Sequence, residues 1–600
     1  MKKYIVWLVI ILIGVSCTKN LTNLNTDPTQ FTTALPEAIM EGVVKKTNDQ
    51  MANYNTSKYW DLNNTIIQQA NRYDLTDAGL WQTMYVNVLE NLQQIFAQYG
   101  TDSGFVNRVQ IARIWQAYTF SILAGNFGPT AMTQANNPNY LSTVLFDNED
   151  SVYTYCLNTL KDAASKINLN KDRLSYDVVY GSDGNSLTRW IKFANTLRLK
   201  IALRCQRNLG AVAVNHIRDV MANEANTINS EAETAKMNYE NVVSNGANNM
   251  NPYYIKYVLP NSYYGTYAPW NSSTSATNAV PKLSDYLLAF FRSYSDPRLG
   301  AYFDSVPVMA NRAIIRDTLK STGDDSSRIV TYPVPYFGMP KSPNILPGWT
   351  NLNGLVNPMQ ISNNAFSNAT ASIFAANRPY VILGYAEAQF LKAEAAQLGL
   401  GGSQPASGYY YSGINANFAF WGLPVSAAIA YENVNGIKWG TTGTGFNNYL
   451  DICTTNIPAN DIYKIWIQSW LNYVPDGAFD SWCLMRRTRA LIFAPHTNPG
   501  SAALSTPYSD LPDRSVYPTT VQSLNPAGYA SALTLLGING AAADDKNPYI
   551  RLHFEAPYTV PDWNAMNANY NFSYVQKWYG TTIQALKSSG VPYTLVSTYK

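Results

Sequence analysis

Apolar residues recur every three to four positions over long parts of the chain, the period of a helix buried along one face. In "LWQTMYVNVLENLQQIFAQYG" Trp81, Tyr85, Val88, Leu92 and Phe96 make one stripe, and Gly100 stops it. "RVQIARIWQAYTFSILAGNFG" predicts a second helix closed by glycines. "DNEDSVYTYCLNTLKDAASKI" predicts a third, whose acids suit the positive end of a helix dipole. In "SLTRWIKFANTLRLKIALRCQRN" Trp190, Phe193, Leu197 and Ile201 share one face while Leu199 and Leu203 lie on another. That helix is expected to be buried on two sides. Helices resume with "YVILGYAEAQFLKAEAAQLGLGG", "YYYSGINANFAFWG", "NDIYKIWIQSWLNYV" and "FDSWCLMRRTRALIF". The pattern predicts a mainly α protein in which helix pairs stack as an α-superhelix. No exact sequence period is present.

Elsewhere the periodicity breaks. Across residues 223–370 Pro, Gly, Asn, Ser and Tyr dominate, interrupted by one helical pattern, "KLSDYLLAFFRSYS". Loops this long are usually functional or disordered, and the many aromatics favour an ordered, packed region. The expected organisation is a leader over 1–16, a tether over 17–30 and one domain over 31–600. Within that domain the helical repeats fall mainly in 31–222 and 378–490. The loop-rich binding region covers about 223–370, and a second loop-rich part covers 491–600.

The amino end fixes the compartment. Lys2 and Lys3 precede an apolar run from Tyr4 to Val15, the layout of a secretory signal. The run is shorter than the roughly 20 residues that span a bilayer. Cleavage after Ser16 would leave Cys17 as the first mature residue, with Gly14 and Ser16 as the small residues at the cut. A thiol there resembles the acylation site of a bacterial lipoprotein, although Ile13 stands one place from the usual lipobox Leu position. Two or more acyl chains, at about 0.8 kcal/mol per buried methylene, anchor a protein stably.

Composition changes the picture in two ways. Charged residues make up 14% of the chain, well below the ~25% typical of soluble proteins. With 43 basic and 40 acidic residues and no basic stripe, nucleic acid is not the expected partner. Aromatics reach 13%, and 43 tyrosines equal all Lys and Arg together. Such rings suit an extended binding surface, though many must be core. Cys156, Cys205, Cys453 and Cys483 fit no zinc spacing and read as buried free thiols.

Motifs of catalysis are missing. His216, His496 and His553 lie far apart, and no H-E-x-x-H, G-x-S-x-G or G-x-x-x-x-G-K-[ST] occurs. A glycosidase would need a carboxylate pair, and Glu387 with Glu394 is the best helical candidate. Seven residues of helix separate them by roughly 10.5 Å of rise, wider than the roughly 5–9.5 Å such enzymes use. The competing reading pairs them with Arg198, Arg204, Arg486 or Arg487 inside the helix stack. No cofactor is implied; Asp324–Asp325 and Asp544–Asp545 are the places where a structural Ca2+ could sit.

Taken in order, several segments resemble the SusD/RagB family of Bacteroidetes outer-membrane nutrient-binding lipoproteins. "NLNTDPTQ" is similar to its amino-terminal signature, and "RWIKFANTLRLKIALR" to its W-x-K-x-A-N-x-L-R-L-x-x-A-x-R helix. That match runs through Trp190, Lys192, Ala194, Asn195, Leu197, Arg198, Leu199, Ala202 and Arg204. "DPRL" at 296–299 matches, as do Tyr385, Glu387, Ala393, Glu394 and Ala395 in "YAEAQFLKAEAAQLG". "IQSWLNYVPDGAFDSWCLMRRT" matches through Gln468, Trp470, Trp482, Arg486, Arg487 and Thr488, with Ser469 in place of the usual Lys. "NFGPTAMTQA" lacks the acid of the family's turn. "RLHFEAPYTVPDWNAMNANY" keeps only Arg551 and Leu552 of the carboxyl-terminal motif.

The resemblance implies tetratricopeptide-like helix pairs carrying a looped second half. It also implies a surface lipoprotein that is not an enzyme. Such a protein captures oligomeric nutrients, most often glycans, and delivers them to a SusC-like TonB-dependent transporter. Peptides or glycoproteins are the alternative cargo, and a surface glycosidase is the alternative class. A pyranose stacks its C–H face on a flat ring while amides read its hydroxyls, so presented aromatics are the expected contacts. Tyr263, Tyr264, Tyr267, Trp270 and Trp349 lie amid Gly, Pro, Asn and Ser and have the best claim. Trp60 and Tyr73, beside an Asn-rich stretch, and then Trp81 follow.

The anchor is directly testable. A Cys17→Ala variant is expected to leave the membrane fraction and to lose incorporation of labelled palmitate. Retention of the variant in membranes, with no label in the wild type, would refute the anchor.

Overall fold

The computed structural model describes residues 34–67, 77–140, 143–181, 183–241, 243–244, 247–258, 280–305, 315–321, 324–330, 336, 338, 367–443, 446–447, 454–455, 458–491, 512–539 and 550–557. Helices dominate. The first, α1, is Pro36–Tyr54, with proline at its first turn where no N–H partner is needed. It runs on through a π-helical turn, Asn55–Tyr59, into Trp60–Leu62. A second π stretch, Thr83–Leu89, leads into α2, Glu90–Tyr99. Wider π turns rotate the following residues about the axis. Leu80 is buried before this stretch, Met84 and Val88 within it, and Leu92 and Ile95 after it.

Three long helices follow: α3 Val106–Phe127, α4 Glu149–Lys166 and α5 Ser186–Leu209. α6 is Ala211–Ala222. Each packs on the next, α3 on α4, α4 on α5 and α5 on α6. As the two apolar faces of α5 imply, Trp190, Phe193, Leu197, Ile201, Leu199 and Leu203 are all buried. Strand β1, Ala235–Met237, leaves this layer, and α7, Asp285–Ser293, is capped by Ser284.

The second group of helices begins after β2, Tyr380–Leu383, which pairs antiparallel with β1. "YVIL" therefore does not open a helix as the periodicity suggested. Its β-branched and aromatic residues suit a strand, and Gly384 separates it from α8, Tyr385–Gln397. α9 is Ala406–Phe420, α10 Val425–Glu432, α11 Asp461–Asn472 and α12 Ala478–Thr488. The carboxyl-terminal part read as loops also holds short helices, Thr519–Leu524 and Pro526–Leu535. Asp324 and Asp325 begin the second strand of a hairpin, Ile315–Ser321 with Asp324–Val330. Among the described residues no three His, Cys, Asp or Glu gather as a metal site, and no helix is long and apolar enough to cross a membrane. Cys156, Cys205 and Cys483 are free and buried, as expected.

α8 is the hub. It packs on α9, α11, α5 and α6. Ten consecutive residues, Ala386 to Ala395, are buried. α9 comes close because Gly413 faces Phe390; a Cβ there would meet the ring at 2.5 Å. Both buried acids of α8 are paired. Glu394 takes a bidentate grip from Arg487 at 2.6 and 2.7 Å, one of the pairings the sequence favoured. Glu387 accepts instead from Lys200, at 2.8 Å. Lys200 also binds Asp480, which Arg204 meets at 2.7 Å. Removing one partner of a buried ion pair typically costs about 3–5 kcal/mol.

One buried acid links the carboxyl-terminal segment to the helices. Glu149 opens α4, is 1% exposed and accepts the His553 backbone N–H at 3.0 Å. Burial pushes its carboxyl up to about 7 from 4.5. The folded state thus holds this proton more tightly than the unfolded chain. The stabilising contribution is full below about pH 4.5 and is lost as pH rises through about 7. Glu149→Gln keeps an acceptor for His553 without titrating. Between about pH 5 and pH 8 the wild type should lose up to about 3 kcal/mol more than this variant, read from urea midpoints. Parallel losses in the two proteins would refute the assignment.

Candidate functional site

A cleft with about 50 Å3 of free interior opens where the second group of helices meets the β1–β2 pair. Its walls come from four distant segments: residues 231–234, 378–387, 417–421 and 472–477. Each segment is held in place by identifiable contacts.

The first wall is the end of α9. Phe420 is 41% exposed, and Trp421, half-buried, packs on Tyr302 with ring centroids 4.5 Å apart. The helix stops because Gly422 turns left-handed, at φ +70°. The Gly422 N–H donates to the Ala419 carbonyl at 3.0 Å and the Leu423 N–H to that of Phe418 at 2.9 Å. These two bonds are the Schellman termination, in which glycine relieves the strain a Cβ would bring. The terminator therefore leaves Phe420 and Trp421 at the mouth, their planes at 82°.

The second wall is the α11–α12 turn, residues 472–477. The segment from Asn55 to Asn63, after α1, clamps it from behind. Asn55 donates to the Asp476 carbonyl at 2.7 Å, the Trp60 indole to that of Pro475 at 2.7 Å, and Asn63 to that of Ala478 at 2.7 Å. Arg378 holds the Asp476 carboxylate with both terminal nitrogens, at 3.0 and 2.7 Å.

The floor is the start of α8. The Tyr385 N–H donates to Thr234 Oγ1 at 3.1 Å, giving one orphan donor of the helix start a partner. Thr234 donates in turn to the exposed Glu231 at 3.2 Å. Glu387 lines the cleft, and its Oε1 accepts from both Lys200 at 2.8 Å and Tyr473 at 2.9 Å. Its Oε2 makes no hydrogen bond among the described residues. Burial raises the Glu387 carboxyl above the usual range, against the pull of Lys200. Burial would lower Lys200, but Asp480 and Glu387 keep it charged.

Other polar atoms at the cleft are also unpaired. Asn417 donates to Asn472 Oδ1 at 2.9 Å, which leaves the Asn472 amide N–H groups unused. The Trp421 indole N–H and the Tyr385 hydroxyl likewise make no hydrogen bond among the described residues. Apolar rings beside unpaired donors and acceptors suit a ligand that is itself part apolar face and part hydroxyl.

Two of the predicted binding residues need correction. Trp60 is fully buried, its ring 5.1 Å from Tyr253 and its N–H bound to Pro475; it supports the cleft wall from inside. Trp81 is half-buried and already surrounded by rings. Phe146 stacks on it at 5.6 Å, and Tyr85, Phe127 and Tyr517 stand at 4.6, 5.1 and 5.7 Å. Neither is a presented platform. Cys17, Tyr73, Tyr263, Tyr264, Tyr267, Trp270 and Trp349 lie outside the described residues. The cleft residues Phe420, Trp421, Asn472 and Glu231 were missed. The available signal was "FAFWG", a pair of rings placed right at a helix-stopping glycine.

Comparison with known proteins agrees with the fold. The family model SusD-like_2, described as "Starch-binding associating with outer membrane", matches residues 19–321 and 347–518; the chain belongs to this family. Solved structures with the same fold include a Bacteroidetes AC2a SusD-like protein, at 19% identity and a TM-score of 0.64. It covers 87% of this chain and 100% of its own. A chitin-binding SusD homologue from Flavobacterium johnsoniae matches at 17% identity and TM-score 0.62, covering 87% and 99%. A SusD homologue from Bacteroides uniformis matches at 17% and 0.63, again covering 87% and 99%. No curated protein matches the chain.

Proposed function

We propose that this protein captures oligosaccharides at the cell surface and passes them to a SusC-like TonB-dependent transporter of the outer membrane. The observation that carries the reading is the cleft, where Phe420 and Trp421 stand among unpaired amide, indole, hydroxyl and carboxylate groups. Family membership supports it, since the matching model is described as starch-binding, and one structural relative is described as chitin-binding. Acylated Cys17 would hold the protein to the outer-membrane lipid. The loop rings Tyr263, Tyr264, Tyr267, Trp270 and Trp349, with Tyr73, are the proposed further contacts along a longer glycan.

Capture rather than catalysis follows from how the acids are used. Glu394 is closed off by Arg487, and Glu387 is fixed by Lys200 and Tyr473. No cofactor or metal enters the reading.

Binding is tested with maltohexaose and chitohexaose by calorimetry, on the full-length protein in a detergent without a sugar headgroup. Truncating a binding hot spot costs about 2 kcal/mol or more, so Phe420→Ala should weaken the tighter hexamer by about thirtyfold. Phe420 is exposed enough that stability should change by under about 0.5 kcal/mol. Chain lengths of both hexamers should be unchanged by chromatography after incubation. Measurable cleavage that Glu387→Gln abolishes would establish the glycosidase reading instead.

The transporter follows from topology: a lipid-tethered binder cannot move cargo through a bilayer by itself. Affinity purification after mild extraction should recover a large outer-membrane barrel with this protein. Its recovery alone, where other surface complexes survive, would count against the handover.

A further inference from the structure

We propose that the cleft selects neutral, hydroxyl-rich sugars and excludes carboxylated ones. This inference rests on the glycan-capture reading and adds the substrate class.

A uronate or other acidic sugar is held most strongly where a free cation receives its carboxylate. Among the described residues one cation, Arg378, lines the cleft and another, Lys200, underlies it, and neither is free. Both terminal nitrogens of Arg378 bind Asp476. Lys200 lies beneath the floor, between Glu387 and Asp480. Lys236, on β1, is near enough to act on Glu231 but is not among the lining residues.

The acids, in contrast, retain capacity. Oε2 of Glu387 has no partner among the described residues, although the residue is only 6% exposed. Glu231 is exposed at the rim, and only its Oε2 is engaged, by Thr234. An acidic sugar would therefore meet two carboxylates and, among the described lining residues, no open cation, and like charges placed together cost several kcal/mol. A neutral sugar meets a matched set. Its hydroxyls can donate to Glu387 and Glu231 and accept from Asn472, the Trp421 indole and the Tyr385 hydroxyl. Its C–H face can lie on Phe420. A hydroxyl is both donor and acceptor, which is what such a mixed lining requires.

Glu231 is the residue on which to test this, because it is exposed and anchors no buried charge. Calorimetry on the full-length protein would compare maltohexaose and chitohexaose with hexagalacturonate at low salt, in wild type, Glu231→Lys and Phe420→Ala. The wild type is expected to bind at least one neutral hexamer about tenfold or more tighter than hexagalacturonate. Glu231→Lys should narrow that gap by about tenfold, and added salt should narrow the wild-type gap as well. Hexagalacturonate binding as tight as the better neutral hexamer would overturn the inference. So would a gap that Glu231→Lys leaves unchanged, and in that case loss of neutral binding in Phe420→Ala would keep glycan capture standing. Failure of the wild type to bind any of the three would overturn both readings.

Discussion

The fold depends on one constraint: α8 is buried on every side and yet carries Glu387, Lys392 and Glu394. A charge in that position must have a partner, because leaving one unpaired costs several kcal/mol. The partners lie on other elements, so satisfying α8 fixes where those elements go. Lys200 and Arg204 from α5 meet Asp480 of α12, and Lys200 also meets Glu387. Arg487 of α12 reaches Glu394. Lys392 reaches Asn229, beyond α6. Three helices far apart in sequence are thereby set at one register.

A second buried cation extends the same logic towards the cleft. Arg298 is fully buried and satisfied by Asp296, Asn417, Gln468 and the Tyr431 hydroxyl, with Phe418 and Tyr431 over its plane. Asn417 binds Arg298 through its carbonyl and Asn472 through its amide. The orientation of Asn472 at the cleft is thus traced back to a "DPRL" segment more than a hundred residues earlier. Low overall charge and a site lined by amides and rings are consequences of one design, in which charges are used inside to set register.

Much of this was legible in the sequence, and the failures have physical causes. The two-faced burial of α5 was written in its leucines and aromatics, and acids on an alanine-rich helix called for cationic partners, of which Arg487 for Glu394 was one of four candidates and Lys200 for Glu387 was not among them. α1 was not singled out, because its inner face includes Thr47 and Asn48. Thr47 is accommodated by bonding the Val43 carbonyl at 2.8 Å and accepting from the Trp115 indole at 3.1 Å. Trp60 looked presentable because its neighbours Asn55, Asn63 and Asn64 are polar, but these asparagines are buried too, and Asn55 and Asn63 bind a distant turn. Polarity in sequence marked backbone clamping there, not exposure. The cleft was illegible as a whole, since no local pattern links residues 231, 387, 420 and 472. Only its rim left a trace, in two rings beside a terminating glycine.

The network beneath the cleft also bears on what the cleft can do. Lys200 and Tyr473 both hold Oε1 of Glu387, so its other oxygen is fixed at the cleft in a set orientation. Preorganisation of this kind lowers the cost of binding. A general acid, in contrast, must give up and recover a proton as its hydrogen bonds rearrange. Protonation of Glu387 would weaken its pairing with Lys200, whose ammonium is buried and has Asp480 as its other carboxylate partner. Asp480 in turn is shared with Arg204, so the disturbance would pass into the register of α5 and α12. The contacts that hold Glu387 as a fixed acceptor therefore tie any change in its charge to the packing of α5 and α12.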